Sequence, residues 1–224
     1  MSGKTILLTG FEPYGGGTLN PSTELVNNFD GRSMGDHLVV GRTLPVSQRD
    51  LASRIVRLMD EWDPKAVVSL GLWPGEPVLR LERVAVNVAD FEIPDNDGVL
   101  LRDAPLSASA ATAHLTTLPL RTIEDALIDA GIPARISSTA GTFLCNATMF
   151  GFLDLIAARG RSTLAGFVHV PYLPQQVAAH LDRLRRTHDI ELHQRADLAS
   201  MELSTMLRAV EIVVQTIIAT APRS

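Results

Sequence analysis

Three side chains in this sequence are of the types that nucleophilic catalysis requires: Cys145, His169 and Glu82. Cys145 is the only cysteine, and it closes the segment Ser138-Thr-Ala-Gly-Thr-Phe-Leu-Cys-Asn146. That segment reads as a strand-to-turn passage running into a helical pattern predicted over Asn146 to Arg159. A thiol at a helix N-terminus lies in the field of unpaired backbone N–H groups, which favours thiolate, and the same amides can hold an oxyanion. His169 ends the apolar run Ala165-Gly-Phe-Val-His-Val170, just before the rigid loop Pro171-Tyr-Leu-Pro174. Of six histidines it alone falls at a strand terminus: His37 and His114 sit beside loops, and His180, His188 and His193 fall on or near polar helical faces. Glu82, inside Leu79-Arg-Leu-Glu-Arg-Val-Ala-Val-Asn87, is a candidate to orient an imidazole. Thiol, imidazole and carboxylate are the nucleophile, base and orienter of a thiol hydrolase.

Each residue also has an ordinary reading. Cys145 could be a small core residue or an intermolecular bridge, His169 a structural histidine, and Glu82 the partner of Arg80 or Arg83. Spacing does not decide, because such triads assemble in space rather than along the chain. A single cysteine makes no internal disulfide and lacks the partners of a structural zinc site, so no metal is expected.

The glycine-rich stretch Gly10-Phe-Glu-Pro-Tyr-Gly-Gly-Gly17 suggests nucleotide binding first, but Thr18 follows with no lysine, and the dinucleotide fingerprint is not matched. Phe11 and Tyr14 flank this flexible backbone. They read either as a loop packed on the core or as an apolar wall for a small flat ligand.

Strands and helices alternate around these residues. Strands are predicted at Lys4 to Thr9, His37 to Val46, Ala66 to Leu70, Val78 to Val88, Ala134 to Ser138 and Leu164 to Val170. Helices are predicted from Pro21 (with Asn20 as cap), over Gln48 to Asp63, Pro119 to Ala130, Asn146 to Arg159, Gln175 to Arg186, and Leu198 to Ile218. The last has more apolar positions than one face needs, as either a core or an interface helix requires. Ala89 to Ala110 has no clear period and contains the turn-dense Ile93-Pro-Asp-Asn-Asp-Gly98. The alternation predicts one α/β domain over residues 1–224, an α/β/α sandwich with a mostly parallel central sheet. Ligands in such folds sit at the carboxyl ends of strands, where Gly10 to Ser22, Glu82 to Asn96, Gly141 to Asn146 and His169 to Pro174 all fall.

Composition excludes other classes. With 20 Lys+Arg against 25 Asp+Glu the formal net charge is −5, so neither nucleic acid nor an anionic membrane is the expected partner. The one basic cluster, Arg183-Leu-Arg-Arg186, reads as a solvated helix face. The first apolar run is too short for a signal peptide, and no run reaches the ~18 residues of a membrane helix. A soluble, cytoplasmic protein is expected.

The motifs together closely resemble the pyroglutamyl peptidase I family, also called pyrrolidone-carboxylate peptidases. The resemblance rests on Thr9-Gly-Phe-Glu-Pro-Tyr-Gly-Gly16 with Asn20-Pro21, Glu82-Arg-Val-Ala-Val-Asn87 with Ile93-Pro-Asp-Asn-Asp-Gly98, Ser138 to Asn146, and Gly166-Phe-Val-His-Val-Pro-Tyr-Leu-Pro174. It implies a cofactor-free cysteine peptidase, usually a cytosolic homotetramer, that removes N-terminal pyroglutamyl residues from small peptides. It implies Cys145, His169 and Glu82 as the triad, Phe11 and Tyr14 as aromatics clasping the lactam ring with Phe143 in the same pocket, and Asn20 as the residue closing it. Two positions depart from the family pattern: Tyr14 replaces the usual Phe, and Glu92 stands where Arg is common. A carboxylate near a developing oxyanion would oppose it and raise the thiol pKa, unless it points to solvent or to a neighbouring subunit. The rival readings are a thiol amidase for another small amide and a lactam-binding protein without turnover.

Overall fold

The apolar run Thr5–Phe11 forms β1, buried from Ile6 onward, and its neighbours follow from the same logic of strands covered on both faces. The structure, a computed structural model, describes residues 4–187 and 199–220. In chain order the elements are β1, α1 (Pro21–Phe29), β2 (Ser33–Met34), β3 (His37–Leu44), α2 (Leu51–Trp62), β4 (Ala66–Leu72), β5 (Leu79–Glu82), β6 (Val84–Val86), β7 (Ala113–Leu115), α3 (Leu120–Asp129), β8 (Ala134–Ser137), α4 (Leu144–Ala158), β9 (Leu164–Val170), α5 (Pro174–Thr187) and α6 (Leu203–Thr220). His188, His193 and Leu198, given helical readings from the sequence, lie outside the described residues.

Seven strands make one sheet in the order β2-β3-β1-β4-β9-β5-β8. Its centre is parallel: β1 pairs with β3 and β4, and β4 with β9. β5 runs antiparallel to β9 and parallel to β8. Alternation assigns the faces. Ile6, Leu8, Val68, Leu70, Leu79, Leu81, Val168 and Val170 pack with α1, α3 and α6. Leu7, Val67, Ala165 and Phe167 pack with α2 and α4 on the other side. The expected α/β/α sandwich is what the chain adopts.

Three local differences from the sequence reading matter for the site. The strand expected over Val78 to Val88 breaks at Arg83, and β6 leaves the main sheet to pair with β7. The buried Asn146 side chain substitutes for a strand there, accepting from Val86 N–H at 2.8 Å and donating to the Val86 and Val88 carbonyls. The helix predicted from Asn146 begins at Leu144 instead, so Cys145 lies inside the first turn of α4. β1 runs on to Phe11, which pairs with Leu44. As for the last helix, α6 is apolar and long enough to cross a membrane by composition. Met206, Ala209, Val210, Val213, Val214 and Ile217 are nonetheless buried in the core, as the core reading expects.

Candidate active site

β5 reads Leu79-Arg-Leu-Glu82 and is buried at all four positions. Leu79 and Leu81 serve the α1/α3/α6 core, so the pleat turns Arg80 and Glu82 to the opposite face. Arg80 is registered directly across from His169 on β9. Glu82 Oε1 lies 2.8 Å from His169 Nδ1, with Glu82 fully buried and His169 1% exposed. A carboxylate only accepts, so Nδ1 carries the proton and Nε2 is left with its lone pair. The alternative partner Arg83 is exposed, whereas Arg80 Nε donates to the same Oε1 at 3.0 Å. The imidazole is held between Phe167, 4.6 Å away by ring centroid, and the edge-on Trp73 at 4.9 Å.

Cys145 reaches this face from α4. Gly71 of β4, registered with His169 on β9, has no side chain, and a Cβ there would stand 2.9 Å from Cys145 Sγ and 2.8 Å from Phe167 Cζ. Gly71→Ala is therefore expected to displace either the thiol or the ring. The expected cost is roughly 1–3 kcal/mol of stability from overpacking and, from the misplaced thiol, on the order of 10² in turnover. Thermal unfolding and steady-state kinetics on the variant check this; unchanged kinetics would mean the thiol position does not depend on this gap.

Burial decides the protonation states. It pushes the Cys145 thiol up to about 12, with the Glu82 charge adding to the rise and the Cys145 backbone amide opposing it. Burial also lowers His169 below its ordinary value, with Arg80 in the same direction and Glu82 and Glu76 in the other. Desolvation thus works against the thiolate that the helix N-terminus favours. Both directions favour a neutral thiol beside a neutral imidazole. Phe143, at the N-cap of α4, gives its first-turn amides no side-chain cap, and such amides attract an anion.

Cys145 and His169 open onto one cavity of about 760 Å³, walled also by Tyr14, Trp73, Phe143 and Tyr172. Tyr14 and Phe143 meet at 6.0 Å between centroids, and Phe143 rests on the fully buried Phe91 at 4.7 Å. Burial raises the Tyr14 phenol well above its ordinary value, so it stays protonated. Phe11 is placed differently from the clasping role implied by resemblance. It is 3% exposed, packs on Phe167 and backs the wall instead of lining it. Asn20 does not line the cavity either. It caps α1, accepting from the Ser22 amide, and donates to the Glu12 carbonyl at 3.0 Å.

The turn-dense motifs anchor the loops around the cavity. Asp95 accepts from the amides of Asp97, Val99 and Gln48. Asn96 Nδ2 donates to Glu12 Oε1, which also takes the Val46 amide. This ties the loop carrying Glu92 to the loop carrying Tyr14. Glu92 is exposed and borders the cavity. From α5, His180 and Arg183 border it too. Among the described residues no group of three or more His, Cys, Asp or Glu stands together as a metal site. The sequence reading missed Gly71 and Trp73 as parts of the site, and it gave Arg80 only as a possible ion-pair partner of Glu82.

Residues 4–220 match the family model described as pyroglutamyl peptidase. The pyrrolidone-carboxylate peptidase of Thermococcus litoralis is 40% identical over 212 residues, spanning 95% of this chain and 92% of that protein. That of Pyrococcus furiosus is 41% identical over 172 residues, 77% of this chain and 83% of the relative. Among solved structures, pyrrolidone carboxyl peptidase from T. litoralis superposes with a TM-score of 0.88 at 38% identity, covering 96% of this chain and 94% of that one.

Proposed function

Since this chain belongs to the pyroglutamyl peptidase family, cysteine peptidases that remove N-terminal pyroglutamyl residues, we propose that Cys145 is its nucleophile, His169 its general base and acid, and Glu82 the carboxylate that orients the imidazole. The observation that supports this most is the 2.8 Å contact between buried Glu82 and His169 on the wall of the cavity that Cys145 also lines. With thiol and imidazole both neutral at rest, His169 Nε2 takes the proton as the sulfur attacks the pyroglutamyl carbonyl, not beforehand. Glu82 balances the imidazolium that forms. The first-turn amides of α4 hold the oxyanion. As the tetrahedral intermediate collapses, the C–N bond breaks, His169 returns the proton to the leaving amine, and a thioester remains. Water, deprotonated by His169, then hydrolyses the thioester.

Tyr14 and Phe143 form the slot for the five-membered lactam, with Phe11 supporting the wall from behind and Asn20 holding the loop closed through Glu12. An open-chain glutamyl group would bring an unpaired charge into this apolar slot, which is costly, so size and neutrality select together. Glu92 is solvated at the cavity border, and screening weakens its opposition to the oxyanion. The substrates are small peptides beginning with pyroglutamate. On the family resemblance we read the chain as one such domain, cytoplasmic and homotetrameric, working without a cofactor.

The test is hydrolysis of fluorogenic pyroglutamyl, prolyl and glutaminyl amides side by side. Turnover of the pyroglutamyl amide alone is expected. Preferential turnover of another amide would instead make it a different thiol amidase, and lactam-dependent thermal stabilisation without any turnover would make it a binding protein.

A further inference from the structure

Arg80 is 6% exposed, and each of its three guanidinium nitrogens donates a hydrogen bond. Nε donates to Glu82 Oε1 at 3.0 Å, one terminal nitrogen to Glu76 Oε2 at 3.3 Å, and the other to Ser137 Oγ at 2.7 Å and the Thr139 carbonyl at 2.8 Å. Its plane lies 3.7 Å over the Trp73 ring, which itself packs edge-on against His169. Glu76 in turn accepts from Arg135, whose side chain is 56% exposed. The result is a row of alternating charges, Glu82, Arg80, Glu76 and Arg135, running from the imidazole to solvent. A buried cation so fully paired costs little to keep but is disruptive to remove from one side.

Two details give the row a role beyond stability. Glu82 uses the single oxygen Oε1 for both His169 and Arg80, while its Oε2 has no hydrogen-bond partner among the described residues. Arg80 therefore governs both where that oxygen stands and how much of its charge the imidazole feels. The same guanidinium also grips Thr139, at the start of the loop that leads from β8 into the first turn of α4. We propose that Arg80 is a positioning residue for hydrolysis, coupling the carboxylate behind His169 to the loop that delivers Cys145. The inference rests on the triad reading above.

The charged and titratable groups around His169 set the direction of the test. They are Glu82 and Arg80 from β5, Glu76 from the loop before it with Arg135 behind, Cys145 from α4, and Tyr14 and Tyr172 on the cavity wall. Asp90, Glu92, His180 and Arg183 line the same cavity. Arg80 disfavours imidazolium and Glu76 favours it. In Arg80→Met the imidazole should hold its proton to higher pH, and the acid limb of kcat/KM moves up. In Glu76→Gln it moves down. Arg80→Met is expected to lose roughly 10-fold or more in kcat with KM changed by no more than about 2-fold. Arg80→Lys should restore the acid limb but not all of kcat, because one ammonium cannot span Glu82, Ser137 and Thr139.

The experiment measures pH profiles, kcat, KM and thermal unfolding for these three variants on a pyroglutamyl amide, with Cys145→Ala as control. Opposite displacement of the acid limb in Arg80→Met and Glu76→Gln supports the proposal, and should Arg80→Met fail to fold, a lowered limb in Glu76→Gln with a wild-type limb but reduced kcat in Arg80→Lys still reads it. Limbs of Arg80→Met and Glu76→Gln that stay at the wild-type position, or rates that fall only in proportion to folded protein, overturn it. An active Cys145→Ala would overturn the triad reading instead.

Discussion

Cys145→Ala is expected to fold and melt close to the wild type and to lose turnover of a pyroglutamyl amide by about 10⁴- to 10⁶-fold. The stability expectation follows from the small volume removed and from Cys145 having no disulfide or metal bond to lose. The rate expectation follows from chemistry that no neighbour can take over: Cys145 is the only cysteine, and the cavity offers no other thiol. Because Tyr14 and Phe143 remain, the variant should still bind a small lactam such as 2-pyrrolidone, read as a rise in melting temperature. Loss of turnover with retained lactam binding separates the nucleophile from the slot. A variant that keeps turnover within about 10-fold of wild type would remove Cys145 from the mechanism.

Glu82→Gln is the second large effect, an expected loss of roughly 10³- to 10⁴-fold in kcat with substrate binding little changed. Gln can still accept from Nδ1–H, so the ring can keep its place, but it carries no charge to balance imidazolium during attack. The pH dependence discriminates further. Glu82 raises both the His169 and the Cys145 values, so its neutral replacement lowers both, and the acid limb of the residual activity moves to lower pH. Stability should fall as well, because Arg80 loses one of its two carboxylate partners while remaining buried. Kinetics, the pH profile and thermal unfolding on one preparation distinguish the cases. If Glu82→Gln kept more than about a tenth of the activity, the imidazole would not need the charge, and Glu82 would be reduced to the ion-pair partner of Arg80.

The elements were legible because their signals are local. Apolar runs at Ile6-Leu7-Leu8 and Ala66 to Leu70, short and ended by Gly10 and Gly71, read as strands covered on both faces, and Leu51, Ile55, Leu58 and Met59 recur at the helical period and are buried together on α2. The Asn20 cap was equally readable, since its side chain bonds an amide two residues away. The boundary at Arg83 was not. It depends on Asn146, some sixty residues later, offering its amide group as a substitute strand to Val86, and no period in the local sequence encodes that. Nor could the residues around Phe11 reveal that β1 would extend through it and bury its ring against Phe167.

For the site, the sequence determined which chemistry was available: one thiol, one histidine at a strand end, and a carboxylate two residues from an arginine in a leucine-alternating strand. It also determined the family, because long motifs survive in order along the chain. Only the tertiary structure decided how those groups behave. The β5–β9 register turned an apparent choice between ion-pair partner and imidazole orienter into both at once, through a single shared oxygen. Burial then works against the charged forms of both groups, opposing the thiolate that the helix terminus favours. The physical reason is the same in both cases. A residue's type and its local field are written in its own neighbourhood of the chain, whereas its desolvation and its charge partners come from strands and helices that are distant in sequence and meet only on folding.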